Sequence, residues 1–166
     1  MEFLKKSIHM DQIGCEEQTQ ITLEDDVNIA DAKPDVYQVV TQQGNVELEE
    51  VRASDGHVHV KGVLHFKVLY LADEETHHPA CMEGELAFEE QILMGSVSGT
   101  DQVQAQAILE DLSVGMINSR KLSVQALLQI RLFTERMKQL DVAVGLDGTE
   151  QIEVKKKDLQ ALDLIV

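Results

Sequence analysis

The sequence predicts a mostly-β protein: an antiparallel β-sandwich or open barrel with one short helix near residues 34–42. Three observations carry that expectation. Apolar and polar residues alternate with a period of two over long stretches. Turn-forming clusters recur between the alternating runs. Long helical periodicity is absent, and so is the strand–helix alternation of an α/β fold.

Taken in chain order, residues 1–14 read as an N-terminal extension or edge strand, and Thr19–Leu23 as a first short strand. Pro34 suits a first helical turn, with Asp35 adding favourable charge there. Val36, Val39 and Val40 form an apolar stripe ending near Gly44, which predicts the short helix. Val46–Val51 is a strand candidate. From His57 to Tyr70 the alternation is longest: Val58, Val60, Leu64, Phe66, Val68 and Tyr70 share one face, and His57, His59, Lys61, His65 and Lys67 the other. Such a strand is about 45 Å long unless bent, and Gly62 marks the expected bulge or bend. Glu85–Leu93 follows, then Gln102–Leu109 with Val103, Ala105, Ala107 and Leu109 inward. The run Lys121 to Phe133 places Leu122, Val124, Ala126, Leu128, Ile130 and Leu132 inward. Asp141–Leu146 and Gln151–Lys155 are further short candidates. Ser54-Asp55-Gly56, Met94-Gly95-Ser96, Ser98-Gly99-Thr100 and Asp147-Gly148-Thr149 punctuate the runs, a spacing typical of sandwiches and barrels. A single domain is expected over 15–155, with 156–166 a tail that reads equally as a last strand, a short helix or a linker.

Composition narrows the function classes. With 30 acidic against 14 basic residues, the formal charge of −16 repels phosphate backbones and anionic membrane surfaces. The basic run Lys155-Lys156-Lys157 is too short to reverse this. Aromatics at 4%, without Trp, leave little with which to stack bases or sugars. No nucleic acid and no direct membrane insertion are therefore expected, and basic patches on protein partners are favoured instead. No window approaches the roughly 18 uncharged apolar residues of a membrane span. Cys15 and Cys81 match no zinc or CxxC spacing and read as free thiols in a reducing, cytosolic compartment.

Candidate chemistry is sparse. His57, His59 and His65 share one strand face, and His77, His78 and Cys81 cluster in the following loop, a set that can be imagined around zinc. A solvated outer face and a polar loop account for them better, since no HExxH or paired-cysteine spacing is present. Asp25, Asp26, Asn28, Asp31 and Asp35 lack the register of a calcium loop. Glu49-Glu50, Glu74-Glu75 and Glu89-Glu90 are adjacent glutamates, which a strand points to opposite faces, unlike a glycosidase pair. No nucleophile elbow or phosphate-binding glycine loop occurs. No catalytic residue, metal site or cofactor is expected, and the chain reads as non-enzymatic.

Four stretches, taken in order, carry a family resemblance: 26–36 with Lys33-Pro34-Asp35, 62–71 ending in Tyr70-Leu71, 82–89, and 110–122 with Asn118-Ser119-Arg120. Together they resemble the SPOCS domain, the spore-coat-associated module of endospore-forming Firmicutes, typically clostridia, over roughly residues 15 to 155. Ala30 stands where that family often carries Pro. The resemblance implies a structural or adaptor module for protein–protein assembly in the endospore coat, in the mother-cell cytoplasm at the forespore surface. Its implied partners are other spore coat or morphogenetic proteins, with the basement-layer ATPase reached through a LysM region. No LysM segment follows Val166, so the chain looks like an N-terminal fragment and 156–166 like a linker toward a downstream unit. Homo-oligomerisation is open. A ligand-binding β-module for envelope polysaccharide or metal is the alternative. The motif positions Lys33, Pro34, Asp35, Tyr70, Asn118 and Arg120 are expected to be structural, with Pro34 ending an extended segment and Asp35 capping the next turn. Asn118 is expected to tolerate left-handed geometry in a tight turn, and Arg120 to pair with Glu110 or Asp111 across the hairpin.

Overall fold

A computed structural model describes residues 2–147. It contains six strands: β1 (Glu2–Asn28), β2 (Val36–Ser54), β3 (His57–Ala72), β4 (Pro79–Leu93), β5 (Gln102–Asn118) and β6 (Lys121–Asp147). They form two three-stranded sheets, ordered β1-β6-β5 and β2-β3-β4. The pairs β2–β3, β3–β4 and β5–β6 are antiparallel. Among the described residues there is no helix, and hence none long and apolar enough to cross a membrane. The strand candidate at 151–155, the turn at 147–149 and the tail fall wholly or partly outside the described residues.

Asp11–Met137 forms one compact unit, and β1 and β6 also carry residues 2–10 and 138–147, which belong to a second. In that second unit Ser7 Oγ donates to Asp141 Oδ1 at 2.5 Å and accepts from Gln139 Nε2 at 2.6 Å. Phe3, Leu4 and Val144 are exposed there.

Within the larger unit, the two central strands carry the strongest alternation, for a simple reason. A strand flanked on both sides within its sheet can bury every inward side chain. Thus Val58, Val60, Leu64, Val68 and Tyr70 of β3 are fully buried, as are Leu122, Val124, Leu128, Ile130 and Leu132 of β6. The edge strands β1, β2 and β5 instead alternate half-buried with exposed residues. Leu64, Phe66 and Val68 share one apolar cluster with Leu122, Val124 and Ala126; Val58, Val60 and Phe88 share another with Leu128, Ile130 and Leu132. Thr134, the one buried polar or charged side chain among the described residues, accepts a hydrogen bond from the Cys15 amide at 2.9 Å. Fully burying one such Leu or Val contributes about 1.5–3 kcal/mol.

The short helix expected at 34–42 is not formed. Val36 already pairs with Ala72, and Val39 with Tyr70, so the segment opens β2. The β-branched Val36, Val39, Val40 and Thr41 suit a pleated surface, and pairing with β3 outweighs the helix-start signals of Pro34-Asp35. The bulge expected at Gly62 falls on the neighbouring strand: the alternation of β3 runs through unbroken, and the register shift lies in β2, between Leu48 and Glu50, directly opposite Gly62 and Lys61. What demands glycine here is close approach: a Cβ on Gly62 would lie 2.6 Å from the Phe88 ring and from Glu47 O. Phe88 is the cross-strand partner of Gly62, and Phe66 the partner of Gly84, where a Cβ would lie 2.4 Å from the Phe66 ring. Two phenyl rings thus each cover a glycine on the neighbouring strand.

Candidate functional site

The chain leaves one sheet after β1 and enters the other at β2 through residues 29–35, an irregular segment whose carbonyls have no ladder to join. Lys33 N donates to Ala30 O at 2.9 Å, making one turn, and Pro34 has no amide to satisfy. Arg120, from the two-residue turn between β5 and β6, accounts for most of the rest. Its guanidinium donates to Lys33 O at 2.7 Å, Ala30 O at 3.0 Å, Ile29 O at 3.2 Å and Asp35 Oδ1 at 3.0 Å. Only a planar five-donor fork can reach that many acceptors from one side chain. The same turn adds backbone bonds: Ile29 N to Arg120 O and Val36 N to Ser119 O, both at 2.8 Å.

The remaining motif positions close the clamp from the second sheet. Tyr70 OH donates to Pro34 O at 2.9 Å, and burial pushes the Tyr70 phenol up, with Arg120 pulling it the other way. Asp73 N donates to Asp35 O at 2.8 Å, and Lys33 Nζ donates to Cys81 O at the start of β4. Lys33, Pro34, Asp35, Tyr70 and Arg120 therefore meet around one crossover.

Three expectations about these residues need correction. Arg120 does not pair with Glu110 or Asp111, which lie ten and nine residues back along the chain, in β5, roughly 30 Å away at strand rise. Glu110 is the extra residue of a bulge and accepts from Gln20 Nε2 at 2.6 Å and Gln129 Nε2 at 3.0 Å. Asn118 does not adopt left-handed geometry; its Oδ1 accepts from Arg120 N at 2.8 Å and so shapes the turn through its side chain. Asp35 caps no turn of a following helix; its carboxylate accepts from Arg120 and, at 3.2 Å, from Ser119 Oγ. Ser119, which the sequence places in the matching stretch without a role, is the partner that sequence reasoning missed, and its signal was its place between Asn118 and Arg120 in a tight turn.

The exposed face of β2-β3-β4 is the second region with polar chemistry. Bases on the central strand sit between glutamates on its neighbours: Lys61–Glu49 at 3.5 Å, Lys67–Glu83 at 2.6 Å and His59–Glu89 at 3.2 Å. His65 lies between Glu47 at 3.7 Å and Glu85 at 3.6 Å. The hydrogen bond to Glu83 raises the Lys67 ammonium, and the same contact lowers Glu83. A groove of about 550 Å³ crosses the three strands here, over the row Gly44, Phe66 and Gly84 and between the side chains that flank it, including Gln43, Asn45, His65 and Lys67.

The histidines entertained for zinc are dispersed. His78 pairs with Glu74 at 3.1 Å, and His77 stacks on Tyr37 with ring centroids 4.1 Å apart. Among the described residues, no group of three or more His, Cys, Asp or Glu is placed to hold a metal ion. Cys15 and Cys81 are free, the first half-buried and the second exposed.

Comparison with known proteins returns one family. The family model described as SipL, SPOCS domain matches residues 35–117, half of the chain. No curated protein and no solved structure matches. The chain belongs to the SipL SPOCS-domain family, a membership that points to a role in sporulation.

Proposed function

We propose that this SPOCS-family chain is a non-enzymatic adaptor for protein–protein assembly in the bacterial endospore coat, working in the mother-cell cytoplasm at the forespore surface. The match to the SipL SPOCS domain carries this reading. The clamp supports it chemically. The motif side chains spend their hydrogen-bonding capacity on the protein's own backbone and on one another, which suits a rigid module presenting surfaces. The partners are other coat or morphogenetic proteins, met by acidic faces of a chain with a formal charge of −16. Affinity capture from sporulating cells with the full chain as bait tests it: enrichment of coat proteins is expected, and retention of none of them would overturn it.

A second reading, recognition of an envelope polysaccharide, is favoured by the groove on the exposed face, whose amide, imidazole, ammonium and carboxylate groups suit sugar hydroxyls. Binding of a spore-envelope glycan, abolished by Asn45→Ala with Lys67→Ala, would support it; no glycan binding by the unaltered chain, or binding that the variant leaves unchanged, would remove this groove as a glycan site.

A further inference from the structure

The two outer strands β1 and β4 belong to different sheets, and each has a hydrogen-bonded neighbour on one side only. Two clefts of about 300 Å³ each lie where they pass one another. One is lined by 17–19, Ile21 and 90–93, the other by 22–25 and 85–87. The numbering rises along one strand as it falls along the other, so the two edges run antiparallel. Among the described residues, no backbone hydrogen bond joins 17–25 to 85–93. The outward edge of β4 is regular as well as free, because its register with β3 runs from Leu71↔Pro79 to His57↔Leu93 without a shift. A free, regular edge beside a cleft is what an added strand requires.

The chemistry of the seam selects the strand. Ile21, Leu86 and Ile92 supply apolar floor, and Leu93 at its end is 80% exposed. Glu17, Glu24, Asp25, Glu85 and Glu90 line the clefts, and no Lys or Arg does. Of these, Glu85 meets His65, while Glu17, Glu24, Asp25 and Glu90 have no salt-bridge partner among the described residues. A second copy of this chain would bring like charges together along the edge, which disfavours self-pairing. We propose that the β1/β4 seam receives an extended segment of a partner protein, alternating apolar residues with Lys or Arg, which pairs its backbone with the free edge of β4. The proposal rests on the adaptor reading and says where the adaptor makes contact.

The test uses the full chain and a synthetic peptide of about nine residues alternating valine and lysine, with a valine–glutamate peptide as control. Binding of the first and not the second is expected, weakening with salt, and slowing amide exchange in 85–93 rather than around 43–45 and 65–67. Glu24→Lys with Glu90→Lys should lower affinity at least about tenfold, and the Gln versions by less. The Gln pair keeps side-chain shape and so guards against a folding defect. Equal binding of both peptides, protection elsewhere, or an unaffected charge-reversed variant would overturn the proposal. A peptide-induced dimer would overturn it in favour of self-association. Coat proteins still captured by the charge-reversed chain would remove this seam as the contact while leaving the adaptor reading standing. Peptide binding without any coat-protein capture would do the reverse.

Discussion

Two lateral seams separate the sheets of the Asp11–Met137 unit, and the chain treats them differently. Along β2 and β5 the seam is tied. Val36 N reaches Ser119 O, Gln42 Nε2 reaches Leu112 O at 3.0 Å, Gly44 lets Leu109 and Leu112 approach, and Arg120 binds the crossover that ends there at β2. Along β1 and β4 no backbone bond crosses among the described residues, and carboxylates line open clefts. The difference follows from connectivity. The first seam lies beside the β1–β2 crossover and the β5–β6 turn, which supply polar groups that must be satisfied. At the second, the outer edges of β1 and β4 over 17–25 and 85–93 have no such segment alongside among the described residues, and solvent can satisfy them. Stability therefore concentrates at one seam, and the other is left available.

Mutations at the tied seam should cost most. Tyr70→Ala removes a fully buried ring and the bond to Pro34 O, and should destabilise by about 3–5 kcal/mol in urea unfolding. Tyr70→Phe should cost about 1 kcal/mol, the share of the hydroxyl alone. Arg120→Ala strips four acceptors at once and should cost about 2 kcal/mol, with Arg120→Lys recovering only part because an ammonium cannot span them. A cost below about 0.5 kcal/mol for Arg120→Ala would break the contrast between the seams.

Substitutions away from the tied seam sharpen it. Gly62→Ala forces a methyl against Phe88 and Glu47 O, and should cost about 1–3 kcal/mol by thermal unfolding, below Tyr70→Ala. Glu24→Lys with Glu90→Lys, at the open seam, should leave stability within about 0.5 kcal/mol, since no partner is lost.

The smallest effect is the exposed pair Lys67–Glu83. Glu83 is lowered, so its contribution is present above its unfolded value and fades as pH falls through the folded one. Lys67 is raised, so its contribution is present below its unfolded value and fades as pH rises through the folded one. The melting temperature of wild type minus that of Glu83→Gln should shrink at both extremes and in high salt.

How much of this was legible in the sequence depended on whether the partner was local. The inward faces of β3 and β6 were readable residue by residue, because central strands impose strict alternation. Pro34-Asp35 was not, because the same dipeptide opens a helix or a strand, and the choice was made by Ala72 and Tyr70 some thirty-odd positions away. The motif positions stood out together through family resemblance. Their geometry did not: the partners of Arg120 lie up to 91 positions back, where no local pairing rule points. Nor could alternation reveal which edge strands stay unpaired, since an edge and a centre differ in the depth of burial rather than in its period.

Amide hydrogen exchange, resolved by residue in the full chain, tests the two-seam contrast most directly. The amides of Ile29 and Val36 should exchange slowly, and along 85–93 slow amides bonded to β3 should alternate with fast ones facing the open seam. Uniform protection throughout 85–93, or a Val36 amide as fast as that outer edge, would contradict it.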